Sequence, residues 1–257
     1  MATSVYSFPL QKESDLAVNQ DHFLSSMFYG IKLCNQQTGE PIPNRVIHDW
    51  LLSAQSEVEN FLQLKLLKTI VVENNEYWVE DWRNFGLIKT TYPAIKAYEM
   101  SGYFNTIRQI EYPKEWLSVS KSNDEKIFKR SVNIVPAGTT SGVVSSVAYL
   151  GVSPHMNFFG MNSIPNYWRT VYATGFDKIP ADIMKAIYYI AAIPIYLIIE
   201  NIIITPGINS ESISIDGLSQ SRSSQGYLQK VKQLSDELVK MKKELRNYYV
   251  GLLFTTV

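Results

Sequence analysis

The sequence predicts an α+β protein in which helices near both ends of the chain enclose a long β-rich stretch. Three observations predict it. Residues 41–66 and 226–249 carry apolar residues at helical spacing. Residues 179–204 form a long apolar run, opened by Pro180 and closed by Thr205-Pro206-Gly207. Residues 67–175 show short β-prone runs between turn residues instead.

Residues 1–40 are weakly patterned and read as an N-terminal arm. No basic stretch followed by an apolar core occurs there, so no signal peptide is expected. In 41–66, Pro41-Ile42-Pro43-Asn44 gives a stiff approach and a cap. Ile47, Trp50, Leu51, Ala54, Val58, Phe61 and Leu62 then recur at the i, i+3, i+4, i+7 spacing of an amphipathic helix. Within 67–175, strands are expected at 69–72, 77–79, 107–111, 117–119, 132–135 and 143–150, with a last aromatic strand around Tyr167–Tyr172. Breaks are expected at Asn74-Asn75, Gly86, Pro93, Gly102, Pro113, 122–124 and 136–138. In the helix over 179–204, Pro194 must introduce a kink or split the helix in two.

The last helix, 226–249, places Tyr227, Val231, Leu234, Leu238, Met241, Leu245 and Tyr248 at alternating spacings of four and three. That is a heptad seam over about three heptads, suited to an oligomeric coiled coil or to packing on helices of the same chain. The tail after it, Val250–Val257, is apolar and uncharged, which is more natural when a partner covers it.

Lys+Arg and Asp+Glu are 24 each among 257 residues, so the formal net charge is zero. This argues against a generally basic nucleic-acid binder while leaving room for a local patch. It also favours a chain that lives in an assembly. Cys34 is the only cysteine, so no intrachain disulfide and no cysteine-based zinc site can form. Sixteen Tyr and five Trp fill cores or interfaces. His22, His48 and His155 lack metal-ligand spacing and read as structural. No nucleophile elbow, Walker A or dinucleotide-binding glycine motif occurs, and Glu80-Asp81 and Asp124-Glu125 read as solvated surface. The chain is therefore not expected to be an enzyme, and no cofactor or metal is expected. Ile183–Ile204 is long enough to span a membrane, but Lys185, Glu200, Asn201 and Pro194 favour a core helix. Asp216-Gly217 signals a turn, and the polar Ser219–Ser224 beyond it reads either as a flexible loop or as a segment bonding to a neighbouring subunit.

Four short patterns recur in order: Ala54, Val58, Glu59, Phe61, Leu62; Tyr92, Pro93, Ile95; Ile179, Pro180, Asp182, Ile183, Ala186, Ile187; and Ser-Ile-Ser-Ile-Asp-Gly-Leu-Ser-Gln-Ser from Ser212 to Ser221. Together they resemble the head-to-tail connector, or adaptor, proteins of tailed bacteriophages. The resemblance covers 44–66 and 179–249. It implies a helical bundle of adaptor type, here carrying the long β-rich insertion at 67–175 and ending in a long C-terminal helix plus tail. It further implies a structural virion protein, made in the host bacterial cytoplasm and located at the head–tail junction. Such a chain forms a homo-oligomeric ring, generally of about twelve subunits, beneath the portal protein. The ring extends the DNA channel, where contact with DNA is non-specific, and docks a downstream tail or stopper protein. Membrane contact is not implied. By the same resemblance, Tyr248, Tyr249, Leu252, Leu253, Phe254 and Val257 are the expected portal-binding residues. Ser212, Ser214, Asp216, Gly217, Leu218, Ser219, Gln220, Ser221 and Arg222 are the expected subunit-interface residues. The alternatives are another phage tail or baseplate subunit, whose β-rich middle binds, and a membrane-associated protein using 183–204.

Overall fold

The structure is a computed structural model. It describes residues 15–31, 33–34, 40–79, 86–121, 128–135, 163–203, 210–215, 218–223 and 225–250, with backbone alone for 120–121, 128–129, 200–203, 210–215, 218–223 and 225–227. Four helices are described: α1 (Gln20–Met27), α2 (Asn44–Leu62), α3 (Ala181–Ile203) and α4 (Gln225–Tyr249). The strands are β1 (Thr69–Trp78), β2 (Gly86–Lys89), β3 (Lys96–Phe104), β4 (Ile107–Glu111), β5 (Leu117–Lys121), β6 (Phe128–Ile134), β7 (Ser163–Thr174), β8 (Ser210–Ile215) and β9 (Leu218–Ser223). The chain divides into two compact units, one centred on 63–177 and the other made of 13–62 with 178–257.

The expected helical bundle is corrected by this architecture. The chain is mixed α and β: strands separate α1 and α2 from α3 and α4, and they form an antiparallel four-stranded sheet, β1-β7-β3-β4, and a three-stranded one, β2-β6-β5. The physical reason is that 63–177 builds its own aromatic core instead of decorating a helical one. Tyr77, Met100, Tyr112, Tyr167 and Trp168 are buried with Ile88 and Ile134 of the smaller sheet in one cluster. Tyr167 and Trp168 meet edge to face with ring centroids 4.7 Å apart.

Several expected breaks fall inside strands. Asn74 and Asn75 lie within β1, where Asn75 Nδ2 donates to the Lys89 carbonyl at 3.2 Å. Gly102 lies within β3, where a Cβ would stand 2.6 Å from the Tyr167 ring. There the glycine marks close packing of an aromatic ring, not a turn. Pro165 and Asn166 (φ +50°) sit in β7 where its register with β1 shifts, the tolerated place for proline in a paired strand. Thr170 to Thr174 are all buried, so this part of β7 shows no alternation of polar and apolar residues.

The two ends of the 63–177 unit are tied together. Thr69 pairs with Thr174, Phe176 N–H donates to the Leu66 carbonyl at 3.1 Å, and Lys68 makes an ion pair with Asp177. Nearby, the Glu73 carboxylate accepts from the Tyr172 hydroxyl at 2.6 Å and from the Thr91 N–H at 3.1 Å.

Burial raises the phenol pKa of Tyr77, Tyr112, Tyr167 and Tyr172 above the usual 10.0, and the Glu73 carboxylate adds to the rise at Tyr172. Folding therefore holds these protons more tightly than the unfolded chain does. The stability they contribute is complete below about pH 10 and is lost as pH rises above it. Alkaline titration should show tyrosinate absorbance rising together with loss of far-ultraviolet β signal. Ionisation of all sixteen tyrosines near pH 10 with the β signal intact would contradict this.

Of the stripe expected on the first long helix, Ile47, Leu51, Ala54, Val58 and Leu62 are buried on α2, while Trp50 and Phe61 are half-buried. α3 is one continuous helix through Pro194, so the splitting expected as one option does not occur. α4 buries Leu234, Leu238, Leu245 and Tyr249, so its seam ends on Tyr249 and not on Tyr248, which is 41% exposed.

Candidate functional site

α3 is apolar over most of its circumference because three helices use it. Ile183, Ala186, Ile187, Ala191, Ala192 and Ile195 are buried. Its tyrosines carry the polar contacts. The Tyr188 hydroxyl lies 2.8 Å from His22 Nδ1, and the Tyr196 hydroxyl donates to the Met27 carbonyl at 2.7 Å, fastening α1. Tyr189 donates to Glu237 Oε2 on α4 at 2.9 Å. That bond, followed by one from Gln233, holds the Glu237 carboxyl below its ordinary pKa. On the other flank of α4, Lys242 Nζ donates to Glu57 Oε1 of α2 at 2.6 Å and lies over the Phe61 ring.

The start of α3 meets the end of α4. Asp182 accepts from the Ile183 N–H at 2.9 Å, and the Tyr249 hydroxyl reaches both Asp182 oxygens at 3.1 Å. With Tyr189 opposite Glu237, this makes α3 and α4 antiparallel. The connection between them lies at the far end and contains β8 and β9. Ser210 pairs with Ser223 and Ile215 with Leu218, the register of a hairpin with a two-residue connection. Directly paired residues share a face. One face of the ribbon thus holds the positions of Ser210, Ser212, Ser214, Ser219, Ser221 and Ser223, and the other holds Glu211, Ile213, Ile215, Leu218, Gln220 and Arg222. Among the described residues, these two strands pair only with each other.

The expected portal-binding and subunit-interface residues therefore attach to opposite ends of the α3–α4 pair, about 36 Å apart along α4. Tyr248 is exposed beside the buried Tyr249, their rings 4.8 Å apart. Leu252, Leu253, Phe254 and Val257 lie outside the described residues, as do Asp216 and Gly217. Ser212, Ser214, Leu218, Ser219, Gln220, Ser221 and Arg222 lie in the ribbon. The Asp182–Tyr249 contact escaped the sequence reading: its partners are 67 residues apart, and only the adjoining Pro180 and the helix end hinted at it. Tyr249→Phe should cost about 1–2 kcal/mol, measured by urea denaturation, because it removes a hydrogen bond to a carboxylate. An unchanged midpoint would show that the contact contributes nothing.

Other candidates are weaker. A pocket of about 260 Å³ in the 63–177 unit is lined by Asn75, Glu76, Trp78, Leu87, Ile88, Lys89 and Trp168. Among the described residues, no group of three His, Cys, Asp or Glu side chains could hold a metal ion. His48 lies 3.9 Å from Asp49, and the half-buried Cys34 forms an isolated bridge with Pro41. His155, Glu80-Asp81 and Asp124-Glu125 lie outside the described residues. Ala181–Ile199 is long and apolar enough to cross a membrane, and half of it is buried within the protein.

No family model matches the chain, and no curated protein sequence matches it.

Proposed function

We propose that this chain is a structural virion protein of a tailed bacteriophage, a head–tail connector that forms a ring on the portal protein. It has no catalytic role in this reading. The order of motifs supports it, above all Pro180-x-Asp182-Ile183 followed by Asp216-Gly217-Leu218-Ser219-Gln220-Ser221. The observation that carries it is the layout of the second unit. An antiparallel helix pair holds a serine-rich ribbon, paired only with itself among the described residues, at one end and the start of an apolar tail at the other. An isolated two-stranded hairpin is marginally stable in water, so a ribbon of this kind gains from a neighbour. A heterologous contact repeated around a closed ring supplies one. The ribbon makes the lateral contact, and the tail beyond Tyr249 docks on the portal.

Negative-stain imaging of the protein mixed with the portal of the same virus tests this. A ring seated on the lower end of the portal is the expected image. A monomeric protein that leaves the portal bare would refute the reading.

A second reading has one observation in its favour. The 63–177 unit is compact and has its own pocket, as a tail or baseplate subunit binding through its β-rich part would require. That reading expects residues 63–177 to fold alone and to bind a tail component. The membrane reading is disfavoured, because Tyr188, Tyr189 and Tyr196 of α3 all place their hydroxyls against groups of α1 or α4. The protein should remain at the bottom of a liposome flotation gradient.

A further inference from the structure

We propose that the pocket where β1 meets β2 binds a hexopyranose ring, as a free sugar or as one unit of a glycan. The proposal does not depend on the connector reading, which gives the 63–177 unit no contact of its own.

The pocket sits on a backbone irregularity. Among the described residues, β1 and β2 are each outermost in their sheets, and the Asn75 amide ties them by donating to the Lys89 carbonyl. At this point the register of β1 with β7 shifts: Asn75 pairs with Trp168, but Tyr77 pairs with Ile164. Glu76 alone therefore stands opposite Pro165, Asn166 and Tyr167, and Asn166 takes a left-handed φ of +50°. Such irregularities cost backbone energy, bend the strand and are enriched beside functional sites. The cavity of about 260 Å³ lies here, lined by Asn75, Glu76 and Trp168 of the shifted ladder.

The lining has an apolar part and a polar part. Trp168 and Ile88 are buried and Leu87 is half-buried, while Trp78 keeps 47% of its surface exposed beside the cavity. Glu76 and Lys89 are exposed, and with Nδ2 engaged by the Lys89 carbonyl the Asn75 amide has Oδ1 left to accept. Each ligand class asks for a different set. A phosphate would meet the Glu76 carboxylate next to the one cation of this lining. An acyl chain would take Glu76 and Lys89 out of water without giving them hydrogen bonds. A neutral ring with hydroxyls on its rim and C–H groups on its faces avoids both costs. Its hydroxyls donate to Glu76 and Asn75 and accept from Lys89, and one face lies on the Trp78 indole. The cavity falls just below the roughly 300–1,000 Å³ that drug-sized ligands occupy, so it takes a single ring.

The test uses the full chain and saturation-transfer NMR with the methyl glycosides of glucose, galactose and N-acetylglucosamine. At least one should bind with a dissociation constant of about 1–10 mM, the range for a ligand of about twelve non-hydrogen atoms at ordinary efficiency. Trp78→Ala should weaken that binding at least about tenfold, because it removes the ring's platform. Glu76→Gln should weaken it about three- to tenfold with an unchanged circular-dichroism melt, and it decides the matter where Trp78→Ala lowers the melt. A homopolymer of the preferred sugar separates the two sources: tighter binding per ring than the methyl glycoside assigns the site to a glycan, and equal or weaker binding assigns it to the free sugar. No saturation from any glycoside at about 20 mM, or binding unchanged in both variants, overturns the proposal. So does leucine, a zwitterion, binding through Glu76 where the glycosides do not. Portal imaging reads the connector separately: a ring that seats on the portal without binding sugar refutes this proposal alone, and a monomer that binds sugar through Trp78 supports the site and refutes the connector reading.

Discussion

Replacing Gly175 by alanine should destabilise the 63–177 unit by about 3 kcal/mol or more and lower its thermal midpoint by more than about 10 °C. Gly175 closes the strand β7 with φ +105°, a backbone conformation that side chains rarely adopt. A Cβ there would stand 2.2 Å from the Leu67 carbonyl oxygen, a backbone atom that is unable to rotate away. The segments that would have to move apart are the ones that tie the unit's ends: Phe176 to Leu66, Lys68 to Asp177, and Thr69 to Thr174. Gly30 is the control. Its φ is +78°, and nothing lies within 4 Å of its would-be Cβ. Gly30→Ala should cost only about 1–2 kcal/mol, the left-handed penalty alone. Scanning calorimetry of both variants separates the cases. Equal shifts would mean that the contact with Leu67 is not limiting.

Deleting residues 251–257 should weaken portal binding by at least about a hundredfold while leaving the thermal midpoint within a degree or so of the full chain. The segment removed contains Leu252, Leu253, Phe254 and Val257. A buried side chain of that kind contributes about 1.5–3 kcal/mol before the losses of association are subtracted. The cut leaves α4 intact. Tyr249 keeps both bonds to Asp182, and Val250 N–H keeps its bond to the Arg246 carbonyl. Pull-down on immobilised portal, with calorimetry of the same samples, measures both quantities. Undiminished binding would rule out the tail as the docking element and leave the exposed Tyr248 as the candidate at that end.

The helices were legible because their signals are local. Asn44 to Leu62 and Gln225 to Tyr249 repeat apolar residues within a turn or two, and any window of the sequence contains the whole pattern. The turn was marked in the same way, by Asp216-Gly217, but the second strand of the hairpin was not: in Leu218–Ser223 only Leu218 is apolar, and the polar residues after it read as a loop or as a segment bonding to a neighbour. The sheets were only half legible. β4 was located, yet β3, which carries Met100 and Ser101 at the centre of the larger sheet, was passed over because Gly102 reads as a break. Whether that glycine ends a strand or admits a ring depends on Tyr167, 65 residues later in the chain. The helical-bundle expectation came from the resemblance and failed because the strands form two sheets with a core of their own. Periodicity identified the helices but carried no information on how much core the strands could build from Tyr77, Tyr112, Tyr167 and Trp168.

The candidate sites divide along the same line. The apolar tail and the serine-rich segment are composition, so the chain by itself determines them. Their placement at opposite ends of α3 and α4 required the contacts of Asp182 with Tyr249 and of Tyr189 with Glu237, which join residues 67 and 48 positions apart. The same holds for α4. The sequence determined that it carries both a seam and many charges. Only the tertiary structure decided that Lys242 is matched by Glu57 while Lys240, Lys243 and Arg246 face outward. Charge and polarity are properties of a residue, but exposure and pairing are set by what packs against it from elsewhere in the chain.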